Sequence, residues 1–253
     1  MYKDRKEKII ATIEARMTST RLPGKVLLPL GGTTVLGLLI ERLKRSQYLD
    51  AICVATTTNA QDDRVAALAK ELGVECFRGS EADVLGRVLG AAQANKADII
   101  VEITGDCPFT DHRVVDRGIE EFFTRSVDYV SNALSVTYPR GGFEVQVFPT
   151  SVLAEVDTLT QEPIDRTHVS YYIYQHPEKY RLYNFEAPQA ARAPELRVVL
   201  DERDDYKLIT KVFAELYPQN PDFSVEDVVK YLRAHPDVAA LNKNVRGKKA
   251  HEL

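Results

Sequence analysis

The sequence predicts an α/β protein in three layers, with a mostly parallel central sheet between helices. Two observations support this fold class. Short apolar segments rich in β-branched residues alternate with longer segments in which apolar residues recur at helical spacing. Such alternation is typical of strand–helix–strand units, whose strands pair in parallel. The apolar segments also contain few polar residues, as expected of strands that are covered on both faces.

The first half of the chain follows this alternation throughout. Strands are predicted at KIIATIEA, AICVAT, VECF and ADIIVEIT, and helices at TTVLGLLIERLKRS, DDRVAALAKELG, EADVLGRVLGAAQANK and DHRVVDRGIEEFFTRS. Asp62 is predicted to cap the second of these helices and Gly73 to end it, while Asp83 is a candidate cap for the third. Because ligands of such sheets bind at the carboxyl ends of the strands, function is expected in the loops that follow them.

The alternation changes after about residue 128. The segment DYVSNALSVTYPRGGFEVQVFP predicts two strands with a turn at PRGG. Further helices are predicted at TSVLAEVDTLT, PIDRTHVSYYIYQHPEKY, ERDDYKLITKVFAELYP and SVEDVVKYLRAHP, and strands at YRLYNFEAP and ELRVVLD. We expect one domain over residues 1–239, in which 130–185 form an inserted antiparallel arm. Residues 240–253 are expected to be a frayed, polar and basic tail, with contact to an anionic ligand as the alternative.

The composition argues against several classes of function. The 253 residues carry a formal net charge of -4, which does not favour bulk attraction to nucleic acid or to a membrane surface. Cys53, Cys76 and Cys107 form no CxxC pair, so a reducing, cytoplasmic setting is expected. No apolar run is long enough to cross a membrane, and no signal-type stretch follows the charged start. The motifs HExxH and GxSxG are absent, which argues against zinc and serine hydrolases.

The loop ARMTSTRLPGKVL places Arg16, Arg21 and Lys25 directly after the first predicted strand. A loop rich in Ser, Thr and Gly ahead of a helix can direct several backbone N–H groups at one anion. Arginine adds bidentate recognition of oxyanions, and lysine adds a compact charge. Neither a Walker A motif nor GxGxxG occurs in it. The loop is therefore either a polyphosphate site or a solvated turn with surface cations.

Two acidic residues follow predicted strands at what should be the same edge of the sheet. Asp106 lies in ITGDCPFTD, and Asp201 ends ELRVVLD. Mg²⁺ is commonly held by one or two carboxylates together with substrate phosphates. Asp106 could instead be a turn residue, and Asp204 and Asp205 ordinary acids at a helix start. An anion-binding loop and two carboxylates at one edge together indicate a nucleotide with Mg²⁺.

The ordered set of motifs resembles one known family. The segments ARMTSTRLPGKVL, ATTTNAQDD, FRGSEADVLGR, ITGDCP, DYVSNA, YPRGGFEVQVF and DRTHVSYYIYQHPEKY are similar to those of the SpsF-like cytidylyltransferases, relatives of the CMP-Kdo and CMP-sialate synthetases. The resemblance implies a Rossmann-like fold of glycosyltransferase-A type, with the arm at a homodimer interface. It also implies transfer of CMP from CTP to a sugar acid or related acceptor, with release of pyrophosphate, in the synthesis of surface polysaccharide precursors.

The resemblance assigns roles to particular residues. Catalytic roles fall to Lys25, Arg16, Arg21 and Asp106, and Mg²⁺ binding to Asp106 and Asp201, with Asp205 as the alternative to Asp201. The nucleotide would contact Ala15, Arg16, Met17, Arg21, Lys25, Ala55, Thr56, Thr57, Arg78, Gly79, Ser80 and Gly105. The acceptor would contact Glu102, Glu144, Gln146 and His168. The chain departs from the family pattern at Glu14, Glu102, Arg140, Glu144 and Gln146.

These departures cluster on the acceptor side, so the pattern does not name the acceptor. A sugar acid is expected, and a phosphate or phosphonate compound is the alternative. Two further alternatives concern the nucleotide chemistry: use of another nucleoside triphosphate, or a non-catalytic relative that only binds a nucleotide. The joint presence of Lys25, Asp106 and Asp201 argues against the non-catalytic alternative.

Overall fold

A computed structural model describes residues 5–246 of the chain. Its strands are β1 (Ile9–Glu14), β2 (Pro29–Leu30), β3 (Thr33–Thr34), β4 (Ala51–Thr57), β5 (Glu75–Gly79), β6 (Ile99–Thr104), β7 (Tyr129–Ser131), β8 (Gln146–Pro149) and β9 (Leu182–Asn184). Its helices are α1 (Val35–Leu43), α2 (Asp63–Glu71), α3 (Val84–Ala94), α4 (His112–Thr124), α5 (Thr150–Leu159), α6 (Pro163–Thr167), α7 (Tyr171–Gln175), α8 (Arg203–Leu216), α9 (Val225–Ala234) and α10 (Pro236–Ala239).

A seven-stranded sheet in the order β5-β4-β1-β6-β8-β7-β9 forms the centre of the molecule. Strand β1 pairs in parallel with β4 and β6, and β4 pairs in parallel with β5. The register sets Glu14, the last residue of β1, opposite Ala55 of β4 and Thr104 of β6. The loops after these strands therefore begin at one edge, and the predicted α/β fold is confirmed.

Residues 130–185 continue this sheet. Strand β8 pairs antiparallel with β6 and with β7, and β9 pairs in parallel with β7. Glu102 of β6 and Ser131 of β7 both lie opposite Gln146 of β8. The second half of the sheet thus sets a row of polar side chains beside the parallel strands.

Apolar side chains cover both faces of the sheet. Ile9, Ala11 and Ile13 of β1 belong to the cluster on one face, and Ile10 belongs to the cluster on the other. Helices α1, α2, α4, α8 and α9 contribute to the first cluster, and α3, α5 and α7 to the second. This alternation is the two-residue period of a strand that is buried on both faces, and it produces the three layers.

Side-chain caps and a glycine explain several of the helix ends. Thr34, Asp83 and Ser224 accept hydrogen bonds from the third backbone N–H beyond them, so each caps its helix and the predicted cap at Asp83 is confirmed. Gly73 follows α2 with a φ of 64°, as predicted for a helix stop. Asp62 precedes α2, but its carboxylate makes no capping bond, so the prediction of a side-chain cap is wrong.

Two predicted elements differ from the structure. ELRVVLD is not a strand: Val198 and Leu200 are buried, yet the segment forms an isolated bridge, between Arg197 and Arg140, and scattered bonds such as that from Leu200 N to Asp106 O at 3.0 Å. The apolar residues correctly indicate that the segment is buried, but it does not pair with a strand of the sheet. PIDRTHVSYYIYQHPEKY forms two short helices, α6 and α7, because the chain is extended at His168.

The folded part of the chain continues past residue 239, where the domain was expected to end. Ala240–Asn242 form a 3-10 turn, and the Asn242 amide donates to Arg197 O at 3.1 Å and to Asp205 Oδ1 at 2.8 Å. The expectation of a frayed tail from 240 is therefore wrong for this turn. Residues 247–253 of the predicted tail lie outside the described residues. Among the helices described, none is long and apolar enough to cross a membrane.

Candidate active site

A cavity of about 280 Å³ opens where β1 and β6 end. Its lining includes the predicted residues Ala15, Arg16, Arg21, Lys25, Gly105, Asp106 and Asp201. Gly105 N donates to Glu14 O at 2.9 Å, and a Cβ at Gly105 would lie 2.7 Å from the same oxygen. Only glycine permits this close approach, which joins the loops after β1 and β6.

Lys25 links the two predicted metal ligands at the centre of this cavity. Its Nζ lies 2.5 Å from Asp106 Oδ2 and 2.9 Å from Asp201 Oδ1. Gly24, in a left-handed conformation with a φ of 73°, turns the chain into the short helix that carries Lys25. The bond from Leu200 N to Asp106 O sets Asp201 beside Asp106. Residues distant in sequence therefore form one charged cluster.

Two arginines complete the cluster around Asp201. Arg21 Nη2 lies 2.7 Å from Asp201 Oδ1, and Arg197 Nη2 lies 2.7 Å from Oδ2. Burial alone would raise the pKa of Asp201, but Lys25, Arg197 and Arg21 together lower it. Desolvation would lower the pKa of Lys25, and the two aspartates raise it instead. Both partners are therefore held in their charged forms.

Asp205 has a different role from Asp201. Its side chain is fully buried, and its carboxylate accepts hydrogen bonds from Arg197, from the backbone N–H groups of Asp201 and Glu202, and from Asn242. With its acceptor positions filled by protein donors, Asp205 holds the turn that presents Asp201. The geometry favours Asp201 as the carboxylate available to a ligand.

Arg16 lines the same cavity, but its guanidinium group pairs with Glu81 rather than with the aspartates of the cluster. Its Nη1 lies 2.7 Å from Glu81 Oε1, which also accepts a hydrogen bond from the Thr18 hydroxyl, and Asn59 Nδ2 donates to Glu81 Oε2 at 2.6 Å. Glu81 thus anchors the loop after β1 to the loops after β4 and β5. Sequence reasoning missed this role, although Glu81 lies in the motif FRGSEADVLGR.

The carboxylate of Asp62 provides a second anchor for the loop after β1. It accepts hydrogen bonds from Met17 N at 2.7 Å and from the Thr57 hydroxyl. Asp62 is fully buried, so these bonds are shielded from water. Met17 is therefore positioned through its backbone, while its side chain packs against the apolar core.

The residues expected to form the base-binding wall do not line the cavity. These are Ala55, Thr56, Thr57, Arg78, Gly79 and Ser80. Arg78 donates to Thr57 O and Asn59 O and pairs with Asp63, so it braces the loop after β4 instead. Arg87, which sequence reasoning missed, lines the cavity and donates to Ala55 O at 3.2 Å and to Ser80 O at 2.5 Å. Arg87 therefore stands between this predicted wall and the open space.

A second cavity, of about 730 Å³, adjoins the first. Glu14, Thr104 and Thr167 line both cavities. All four predicted acceptor residues line the second one: Glu102, Glu144, Gln146 and His168. Gln146 Oε1 accepts hydrogen bonds from the hydroxyls of Tyr129 and Ser170, each at 2.6 Å. The structure thus brings the acceptor-side residues together.

Carboxylates dominate the electrostatics of this second cavity. Burial raises the pKa of Glu102 to about 7, the nearby hydroxyl of Ser170 opposes that shift, and the charge of Glu144 adds to it. Burial and the charge of Glu102 also raise the pKa of Glu14 well above its usual value. Like charges in a confined space disfavour one another's ionised forms.

Comparison with known proteins decides the family. The family model described as cytidylyltransferase matches residues 10–232. The chain belongs to this cytidylyltransferase family. It is therefore assigned to the CTP-dependent nucleotidyltransferases, as its motifs predicted.

Individual relatives of this cytidylyltransferase support the family assignment. The spore coat polysaccharide biosynthesis protein SpsF of Bacillus subtilis is 34% identical over 238 residues, 91% of this chain and 96% of that protein. A cytidylyltransferase structure from Leptospira borgpetersenii superimposes with a TM-score of 0.88 at 32% identity, covering 95% of this chain and all of that one. A 3-deoxy-manno-octulosonate cytidylyltransferase of Solibacter usitatus is 39% identical over 115 residues, 44% of each chain.

The charged cluster of this cytidylyltransferase fits a divalent cation held jointly with a substrate. Within residues 5–246, no group of three or more His, Cys, Asp or Glu side chains is arranged to hold a metal ion. Asp106 and Asp201, however, both reach the same amine, that of Lys25. Two carboxylates that meet at one point suit a hard cation such as Mg²⁺, which takes its remaining ligands from phosphates and water.

Proposed function

We propose that this cytidylyltransferase transfers CMP from CTP to an oxygen of a sugar acid or related acceptor and releases pyrophosphate. The observation that carries the proposal is the pair of adjoining cavities. The first has Arg16, Arg21, Lys25 and Arg87 in its lining and suits a triphosphate; the second suits a molecule of sugar size. A nucleotide and an acceptor bound side by side could meet at the shared wall.

In the proposed reaction, an acceptor oxygen attacks the α-phosphorus of CTP. A new oxygen–phosphorus bond forms, the bond from that phosphorus to the β-phosphate breaks, and pyrophosphate leaves with the electron pair. Lys25 and Arg21 neutralise negative charge on the departing phosphates, and positioning supplies much of the remaining acceleration. Glu14, which lines both cavities, can accept the proton of a hydroxyl acceptor.

Asp106 and Asp201 would hold Mg²⁺ or a similar divalent cation. When bound, such an ion supplies charge neutralisation and polarisation at the phosphate oxygens. Lys25 would then contact phosphate rather than both carboxylates, because its ammonium group and the cation compete for the same oxygens. Arg197 remains with Asp201 and Asp205 and keeps the turn in place.

The acceptor class is proposed from the relatives. The Solibacter relative is named for a sugar acid, 3-deoxy-manno-octulosonate, and the name of the Bacillus relative indicates polysaccharide synthesis. We therefore propose a role in making activated sugar precursors in the cytoplasm, by a homodimer. Light scattering that gives twice the chain mass would support the dimer, and a monomer at working concentration would contradict it.

The decisive experiment measures pyrophosphate release. The chain is incubated with Mg²⁺, each of the four nucleoside triphosphates and a panel of sugar acids, sugar phosphates and phosphonates. The proposal expects release with CTP and a sugar acid, and loss of that release on chelation of the metal. Equal release from another triphosphate, or turnover confined to phosphonates, would favour the alternatives. CTP binding without release from any acceptor would indicate a non-catalytic protein.

A further inference from the structure

The two adjoining cavities differ in the charged side chains that line them. The second is lined by the carboxylates of Glu14, Glu102 and Glu144, whereas no lysine or arginine is found among the described residues that line it. The first is lined, within the described part of the chain, by three arginines and a lysine beside the carboxylates of Glu14, Asp106 and Asp201. An acceptor that spans the shared wall therefore meets arginines and a lysine at one end and, within residues 5–246, carboxylates without a lysine or arginine at the other.

Glu102 brings to the second cavity a buried carboxylate oxygen that accepts no hydrogen bond from the described residues. The residue is only 5% exposed, and its Oε2 is buried without a hydrogen-bond partner. Glu14 Oε1 is likewise buried and unpartnered. A buried carboxylate oxygen with no donor is energetically unfavourable, so a ligand that donates a hydrogen bond to it would be favoured.

Aromatic rings form much of the remaining wall. Tyr129, Tyr171 and Tyr174 line the cavity, with ring centroids 5.3 Å apart for Tyr171 and Tyr174 and 6.2 Å apart for Tyr129 and Tyr174. The faces of tyrosine rings attract cations as well as the C–H faces of sugars. This wall therefore complements a cationic group bound beside the carboxylates.

We propose that the acceptor carries a protonated amine, which the second cavity binds through Glu102 and Glu144 against the tyrosine wall. This inference rests on the proposed function and specifies its substrate as an amino-bearing sugar or sugar acid. The acceptor's reacting oxygen, with any carboxylate it has, points toward Lys25 and Arg21, and its amine points away from them. An acceptor with a carboxylate at this end would place a further negative charge beside Glu14, Glu102 and Glu144. The second cavity therefore disfavours such an acceptor.

The test compares each amine with its own N-acetyl form, which keeps the skeleton and removes the charge. Suitable pairs are glucosamine, galactosamine and 6-amino-6-deoxyglucose with their N-acetyl derivatives, and a 2-keto sugar acid that carries a terminal amine with its N-acetyl form. Pyrophosphate release with CTP gives kcat/KM, and calorimetric titration without CTP gives affinity. We expect at least one amine to exceed its N-acetyl partner by about 10- to 100-fold, the range of one charge-assisted hydrogen bond.

Two variants test whether the carboxylates of Glu102 and Glu144 cause the preference for the amine. Glu102→Gln and Glu144→Gln should each reduce the amine preference to within about threefold, since a neutral amide cannot pair with an ammonium group. Glu144 is solvent-exposed, so Glu144→Gln leaves the fold intact even if Glu102→Gln does not. Glu178→Gln, at an exposed position away from both cavities, is the matched control and should keep the full preference.

The outcomes separate this inference from the proposed function. Release from N-acetylated or unsubstituted acceptors that equals or exceeds release from the amines would overturn the inference while supporting CMP transfer. Amine binding by calorimetry, without release from any acceptor, would support the inference and contradict the proposed function. Failure of every amine to bind or react would overturn the inference.

Discussion

Lys25 is the central charged residue of the first cavity. Its ammonium group is the contact shared by Asp106 and Asp201, and Arg21 adds a second cation to Asp201. Without a ligand, the opposite charges within the cluster neutralise one another. With a triphosphate and a divalent cation present, the same groups can exchange partners, because the carboxylates prefer the metal and the cations prefer phosphate.

Lys25→Ala is expected to lower kcat/KM for CTP by about 30- to 1000-fold, the loss of one charged contact to the reacting phosphates. Steady-state pyrophosphate release measures the effect. Lys207→Ala is the control, because Lys207 is exposed and its one ion pair within residues 5–246 is with Asp204 on the surface of α8. Near-normal turnover of Lys25→Ala would contradict the assigned role.

Asp201→Asn and Asp205→Asn are expected to change different properties, the metal requirement and the stability respectively. Asp205→Asn should lower the free energy of unfolding by about 3 kcal/mol, because it breaks a buried pair with Arg197. Asp201→Asn should cost less stability, because Lys25 keeps its pair with Asp106 and Arg197 its pair with Asp205, and should instead raise the metal concentration needed for half-maximal activity. Denaturant titrations and metal titrations of both variants measure this. The reverse pattern would make Asp205 the metal ligand.

At the scale of elements, the loop after β1 is held by carboxylates from its neighbours. Asp62, before α2, accepts from Met17 N, and Glu81, after β5, accepts from Arg16 and Thr18. Side chains from the loops after β4 and β5 thus fix the loop after β1, which is the proposed phosphate-binding loop. The antiparallel strands make the second cavity in a similar way, since the pairing of β6, β8 and β7 aligns Glu102, Gln146 and Ser131.

Asp62→Ala and Asp63→Ala compare two adjacent carboxylates at one helix start. Asp62→Ala should raise KM for CTP by about tenfold and destabilise the protein by about 2 kcal/mol, because Met17 N and the Thr57 hydroxyl lose a buried acceptor. Asp63 is exposed and makes a surface pair with Arg78, so its replacement should change stability by less than about 0.5 kcal/mol. Similar effects of the two changes would contradict an anchoring role for Asp62.

At the scale of the whole molecule, the central sheet carries both cavities along one edge. The parallel strands β1 and β6 end at the cationic cavity, and β6 also forms the boundary with the anionic one. Confining several carboxylates beside the sheet has a global cost in stability at neutral pH. The raised pKa of Glu102, about 7 against an ordinary 4.5, makes this cost measurable.

Stability of the whole protein should therefore include a contribution that falls as pH rises from about 4.5 to about 7. Between these values the folded protein holds a proton on Glu102 that the unfolded chain has released, so raising the pH removes up to about 3 kcal/mol of stability. Glu102→Gln should weaken this pH dependence. Unfolding free energies of both proteins at pH 5 and pH 8 test it, and identical differences would contradict the assignment.

The sequence by itself determined the α/β class, the parallel order of its first half and the charged residues of the first cavity. Strand periodicity and the position of Arg21, Lys25 and Asp106 after strands suffice for that, because parallel strands bring such loops to one edge. The sequence predicted Asp201 at the same edge as Asp106, but by way of a strand that does not form; the tertiary structure decided how Asp201 reaches Asp106 and that Arg87, rather than Arg78, lines the cavity. Those placements depend on contacts between distant segments, such as Leu200 N with Asp106 O and Arg87 with Ala55 O, which no local pattern records.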